Sequence, residues 1–241
     1  MIELENVSRS YGRKEAVKDL SLSIPSGQLF AFLGPNGAGK TTTIKMMVGL
    51  LQPSAGVIRI QGEDVVRSPR AAAHSVGYVP DEPCLYDKLS GREFLFFVAD
   101  LYAMPREAAA TEIEREIETF SLAGFIDHLT ESYSHGMKQR LVFAAALLHK
   151  PRVLILDEPM VGLDPQNARV VKNRLRTLAQ EGITIFMSTH TLSLAEEIAD
   201  RIGIIYGGTL RFLGTMAELR TSMERQTDSL EQLFLAITGE N

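Results

Sequence analysis

Gly34-Pro35-Asn36-Gly37-Ala38-Gly39-Lys40-Thr41-Thr42 follows the apolar run Leu29-Phe30-Ala31-Phe32-Leu33 and precedes a segment with helical spacing. Strand, glycine loop and helix in that order make a phosphate cradle. The glycines let the backbone approach closely, successive N–H groups converge on phosphate oxygens, and the helix N-terminus adds partial positive charge. Lys40 can reach the β- and γ-phosphates, and the Thr41 hydroxyl can ligate Mg²⁺. The expected guest is a nucleotide bound through its phosphates.

The rest of the chain places this loop in an α/β sheet. Val153-Leu154-Ile155-Leu156 is uninterruptedly apolar, as in a strand buried on both faces of a parallel sheet, and it ends in Asp157-Glu158. Ile183–Met187 repeats the pattern and ends in Ser188-Thr189-His190. Ligands of open α/β sheets bind at that carboxyl edge. Asp157 is therefore expected to orient a Mg²⁺ shell and Glu158 to polarise a water for in-line attack on phosphorus, with His190 near the γ-phosphate.

Further strands are expected at 2–8, 20–24, 57–60, 76–79, 202–206 and 209–212. Tyr11 is expected in the loop between the first two. Helices are expected over 42–51, 90–101, 106–122, 137–149, 165–181 and 191–200. In the third of these the glutamates should form a solvated face; in the fourth, Leu141–Leu148 is apolar nearly all round and should be buried. Ser134-His135-Gly136 stands at the start of the fourth, where free N–H groups suit an anion. The tail from about 217 reads as helical, with Leu230, Phe234 and Leu235 available to pack.

Composition bounds the function. A chain of 241 residues, 45% hydrophobic, has material for a large core, and a formal charge of −5 gives no basic field for nucleic acid. One cysteine, Cys84, excludes an internal disulfide, and a buried or idle thiol is expected. The N-terminus has neither the basic start nor the apolar centre of a signal peptide, and no apolar run approaches the roughly 20 residues of a membrane span. A membrane role would be by docking.

With these residues in order, the chain resembles the nucleotide-binding subunits of ABC transporters along nearly its whole length. Tyr11 matches the family's adenine-stacking aromatic, Gly34–Thr42 the Walker A loop, and Asp81 the Q-loop position. Tyr133-Ser134-His135-Gly136-Met137 matches the signature motif, Leu154–Glu158 the Walker B strand with its catalytic glutamate, Gly162-Leu163-Asp164 the D-loop, and His190 the switch histidine. The resemblance implies a P-loop NTPase core with a mixed, mainly parallel sheet, an N-terminal antiparallel β subdomain and an α-helical insertion. Residues 1–82 and 151–220 would form the core, 83–150 the helical subdomain with the signature, and 221–241 a helical tail. It also implies ATP and Mg²⁺, the metal held by Thr41, Asp157 and Asp81. Two ATP molecules would be sandwiched in a head-to-tail dimer, homomeric or heteromeric, with signature residues acting in trans. The partner would be a transmembrane permease, which holds the subunit at the cytoplasmic face of the membrane. A groove within Asp81–Leu101, carrying Phe94–Phe97, would receive a permease helix, although core is the expected role for most of those phenylalanines.

Two positions depart from the family pattern. Asp81 replaces a glutamine, loses its donor when ionised, and keeps the capacity to bind Mg²⁺ or orient water. In the signature, His135 replaces the first glycine and Met137 the glutamine, while Ser134 and Gly136 persist; the imidazole can hinder close approach or, when protonated, donate to the γ-phosphate. The signature, the acidic Q-loop and the tail Ser229–Leu235 are similar to the ABC-2-type exporter branch. The alternative is a soluble ABC ATPase acting on ribosomes or nucleic acid, against which stand the single motif set and the missing basic stretch.

Overall fold

The computed structural model describes residues 1–222; the expectations for Ser229–Leu235 lie outside the described residues. In chain order the elements begin with β1 (Ile2–Tyr11), β2 (Lys14–Ile24), β3 (Leu29–Leu33), α1 (Lys40–Met47), β4 (Ala55–Ile60), β5 (Glu63–Asp64), α2 (Pro69–His74) and β6 (Val76–Val79). Then come α3 (Gly91–Leu101), α4 (Arg106–Thr119), α5 (His135–Leu147), β7 (Val153–Asp157), α6 (Pro165–Gln180), β8 (Thr184–Thr189), α7 (Leu192–Ile198), β9 (Arg201–Tyr206), β10 (Thr209–Gly214) and α8 (Met216–Ser222). A short 3-10 turn, Thr130–Ser132, precedes α5.

The strands form two sheets. One is antiparallel with order β2-β1-β4-β5; the other, β10-β9-β3-β8-β7-β6, is parallel from β9 to β6 with β10 antiparallel at its edge. In the second sheet β3, β7 and β8 are buried at every residue, as their continuous apolar runs require. Successive side chains serve different cores. Leu29, Ala31, Leu33, Leu154 and Leu156 pack toward helices α3 to α6, and Phe30, Phe32, Ile155 and Phe186 pack toward the antiparallel sheet and α1.

β1 and β2 are longer than the alternation suggests, which moves Tyr11 from the expected loop to the last residue of a strand. The turn is only Gly12-Arg13, with Gly12 at φ +59°. Bulges hide the middle of the hairpin: the register shifts three times between Leu4 and Ser10, and Asn6 and Asp19 take left-handed φ. Side chains replace ladder bonds there. The Asn6 amide donates to Asp19 Oδ1 at 2.8 Å, and the Asp19 N–H donates to Ser8 Oγ at 2.9 Å.

The helices carry their own start and stop signals. α3 has a full capping box, in which the Glu93 N–H donates to Ser90 Oγ at 3.2 Å and the Ser90 N–H to Glu93 Oε2 at 2.8 Å. α4 stops at Thr119, short of the expected 122. Ser121 goes left-handed there, and the Ser121 and Leu122 N–H groups bond back to Glu118 O and Ile117 O, a Schellman closure with serine where glycine is usual. Leu141–Leu148 is buried throughout, as its all-round apolarity demands.

One expectation fails here and one is narrowed. The glutamates of α4 are not all solvated: Glu116 is fully buried against Arg115 at 3.1 Å, and Glu112 pairs with Arg115 and Lys150. Apolar spacing alone does not reveal cations arriving from other elements. Cys84 is exposed, so of the two readings of its thiol the buried one does not apply. Among Phe94–Phe97, Phe94 is buried and Phe96 partly so, while Phe97 is exposed with its ring edge-on to the exposed Tyr86. The fold also holds β5 and α2, which the strand and helix patterns did not bring out, although Ser68-Pro69 is a helix-start pair.

Candidate nucleotide site

The loop between β3 and α1 closes onto neighbouring backbone. Gly39 stands at φ +115°, and a Cβ on it would lie 2.7 Å from Ala16 O in β2, so only glycine fits both the turn and the packing. Lys40, the first residue of α1, is folded back and buried. Its Nζ donates to Gly34 O at 2.7 Å and Pro35 O at 3.3 Å, and lies 3.4 Å from Glu158 Oε1. The amine is therefore held at the centre of the loop.

β7 and β8 bring the second group. Ser188 Oγ donates to Asp157 Oδ1 at 2.6 Å and accepts the Glu158 N–H at 3.0 Å, so one hydroxyl fixes both carboxylate-bearing residues. Sequence reasoning did not single out Ser188; its role depends on β7 pairing with β8, where Asp157 stands opposite Ser188. Glu158 takes a left-handed φ of +48°, and its Oε2 lies 3.1 Å from His190 Nδ1. Its other oxygen is buried without a hydrogen bond beside the Lys40 amine.

The electrostatics are those of a crowded anionic edge. Burial, then the charges of Asp157, Glu158 and Glu82, hold the Asp81 carboxyl above its ordinary range, while His135 opposes them. Burial together with Asp157 and Asp81 pushes the Tyr78 phenol up to about 12. A cation would relieve this crowding. Mg²⁺ takes one or two protein ligands and fills its octahedron with water and phosphate oxygens. The Thr41 hydroxyl and Asp157 fit that demand.

A cavity of about 260 Å³ joins these parts, lined among others by Tyr11, Lys14, Asn36, Lys40, Asp81 and Glu158. Gly37, Gly39, Thr41 and Thr42 also border it. Tyr11 is half exposed, and the Arg9 guanidinium lies 5.0 Å from its ring centroid as a cation–π partner. Lys14 and Ala16 line the cavity without having been singled out, because the hairpin that delivers them is bulged.

The residues matched to the signature stand elsewhere. None of Tyr133 to Met137 lines this cavity. Ser134 caps α5, accepting the Met137 N–H at 3.4 Å. Tyr133 is buried and donates its hydroxyl to Phe125 O at 2.7 Å, and Met137 packs partly buried against the core; these two support the motif from behind. The His135 side chain is exposed and lies against the loop after β7, its Nε2 3.2 Å from Val161 O. Asp164 caps α6, accepting the Asn167 N–H at 2.8 Å, and that bond holds its carboxyl below the usual range.

A family profile for the ABC transporter matches residues 17–161, from β2 through the Glu158 loop. The chain belongs to the ABC transporter family. It is 37% identical over 219 residues to the linearmycin resistance ATP-binding protein LnrL of Bacillus subtilis, covering 91% of this chain and 70% of that one. It is 38% identical to the bacitracin transport ATP-binding protein BcrA of Bacillus licheniformis, covering 87% and 68%. The probable multidrug ABC transporter ATP-binding protein YbhF of Escherichia coli is 34% identical across 98% of this chain, which spans 41% of its length. Among solved structures, an ATP-binding subunit of an ABC transporter superposes with a TM-score of 0.92 at 30% identity over 99% of both chains. The dimeric bacterial ABC transporter cassette MJ0796 shares the fold, with a TM-score of 0.84 at 24% identity over 90% of this chain and 99% of that one. As an ABC transporter ATP-binding subunit, the chain binds ATP and hydrolyses it to drive transport. These relationships do not favour the ribosome or nucleic-acid alternative.

Proposed function

We propose that this subunit works as half of a head-to-tail pair that closes on two MgATP and drives a separate membrane permease in the exporting direction. The carrying observation is the convergence of Lys40 and His190 on Glu158 beside the phosphate loop: one carboxylate oxygen lies 3.4 Å from the lysine Nζ and the other 3.1 Å from the histidine Nδ1. In this reading Glu158 leaves its contact with Lys40 as phosphate takes the amine, and its freed carboxylate accepts a proton from the attacking water. His190 steadies Glu158 and the γ-phosphate. Asn36, Gly37, Ala38, Gly39, Thr41 and Thr42 cradle the phosphates with Gly34 and Pro35 at the turn, and Tyr11 stacks on adenine. Mg²⁺, held through Thr41 and Asp157 with Asp81 beside it, would neutralise charge on the phosphates.

Residues 1–82 and 151–220 act as the nucleotide core and 83–150 as the segment that presents α5. Ser134 and Gly136, which do not line the nucleotide cavity of their own chain, suit the nucleotide of a second subunit. The exposed Tyr86, Phe97 and Leu101 suit a cytoplasmic helix of the permease, which would hold the subunit at the inner membrane face. Among the described residues no helix is long and apolar enough to cross a membrane. Export rests on the relatives named for resistance and multidrug transport.

Glu158→Gln tests the reading. The variant should bind ATP, release no phosphate and accumulate an ATP-bound dimer on size exclusion; persistent turnover with monomer only would sink both base and sandwich. A pull-down from gently solubilised membranes should bring a stoichiometric multi-helix protein. Ribosomal proteins in its place would overturn the transport partner.

A further inference from the structure

α5 grips the Glu158 loop with two side chains one helical turn apart. His135 Nε2 lies 3.2 Å from Val161 O, and Gln139 Nε2 donates to Pro159 O at 3.4 Å. Positions i and i+4 share a helix face, and the two carbonyls they reach are two residues apart in the segment from Glu158 to Asp164. Gln139 is buried, so its reach is fixed by packing. The imidazole lies against the backbone as well. A Cβ on Gly162 would stand 2.2 Å from His135 Cδ2 and 2.7 Å from Nε2, and Gly162 is already left-handed at φ +75°. The ring fills the space that only a glycine leaves.

We propose that His135 is a positioning residue: a clasp within one subunit that fixes the loop carrying Glu158 to the helix whose N-terminus meets the other subunit's nucleotide. This rests on the composite-site reading above. A carbonyl only accepts, so Nε2 is the protonated nitrogen and its hydrogen is committed to Val161 rather than to phosphate. Engagement of Ser134 and Gly136 with an anion then moves the loop through two hydrogen bonds of the same helix. Gly136 itself is not required by the clasp, since a Cβ there would meet only ordinary contacts at 3.6 Å and beyond.

The test uses the full chain with His135→Gly, His135→Asn and His135→Gln. A glutamine amide places a donor where Nε2 stands, and an asparagine amide where Nδ1 stands. In nucleotide-free protein, amide exchange at Val161 and Leu163, whose N–H groups bond to Glu158 O and Met160 O, should rise about tenfold in the glycine and asparagine variants and stay near wild type with glutamine. Turnover at saturating ATP should fall about fivefold in the first two, with KM little changed, and be retained by glutamine. Unchanged exchange alongside lost turnover would mean that the ring acts on phosphate across the dimer, and rescue by asparagine instead of glutamine would mean the same; either overturns the clasp. Raised exchange with unchanged turnover would remove its positioning role. ATP binding by the wild type is measured separately: failure to bind would overturn the functional reading, whereas the exchange comparison judges the contact without nucleotide.

Discussion

The N-termini of α1 and α5 are two helix ends in one chain with very different surroundings. At α1 the loop, the buried Lys40, Glu158, Asp81 and Tyr11 close around a single cavity, and the lysine already bonds two carbonyls. At α5 the cap is one hydroxyl at 3.4 Å, the neighbouring exposed ring lies against Val161 O, and no residue from Tyr133 to Met137 lines the cavity. On the reading proposed above, the first end binds and the second completes.

The largest effects would come from separating the two ends. Lys40→Ala should lower turnover at least about 100-fold and weaken ATP binding by the isolated chain, since it removes a charge held at the phosphates. Ser134→Arg should abolish turnover and leave that binding intact. Neither variant is active alone, but an equal mixture should recover roughly a quarter of wild-type turnover: half the dimers are mixed, and each has one intact site. No recovery from a mixture shown to exchange subunits would break the comparison, because both ends would then serve one chain.

A smaller effect sharpens the comparison at the other end of α5. His149 stacks on Tyr102 at 3.7 Å with its Nε2 3.1 Å from Val76 O, and its Nδ1 is buried without a partner. Burial pushes this imidazole down to about 4. Between that value and about 6.5 the unfolded chain takes up a proton that the folded chain refuses, so stability falls as pH drops through this window. The loss should be about 2 kcal/mol after allowing for partial exposure. Urea midpoints at pH 7 and 4.5 should separate further for wild type than for His149→Gln; equal separation would mean that the ring protonates freely in the folded state. The smallest effect is Ser134→Ala, about 0.5 kcal/mol in thermal unfolding, because its cap bond is long. A cost near 2 kcal/mol would mean that the cap is tighter than its distance.

How far each region could be read from sequence follows the same division. The phosphate loop and the strands ending in Asp157 and His190 are legible because their chemistry is contiguous along the chain and their burial is written as unbroken apolar runs. Ser188 is not, since its partners arrive through strand pairing, nor is the burial of Glu116, which needs Arg115 and the nearby Arg174. The hairpin that carries Tyr11 and Lys14 was underestimated because bulges at Asn6 and Asp19 break period-2 alternation. The direction of the His135 ring depends on a glycine 27 positions away, and no local pattern encodes it.

Glu158 occupies a backbone conformation that glycine adopts without penalty and glutamate does not. A glycine there would relax the turn by about 1 kcal/mol and remove one of four crowded carboxylates. A directed-evolution campaign that selects this subunit for heat resistance alone would therefore drift toward an inert protein at this position. Selection for thermal tolerance has to be run with turnover as a second criterion.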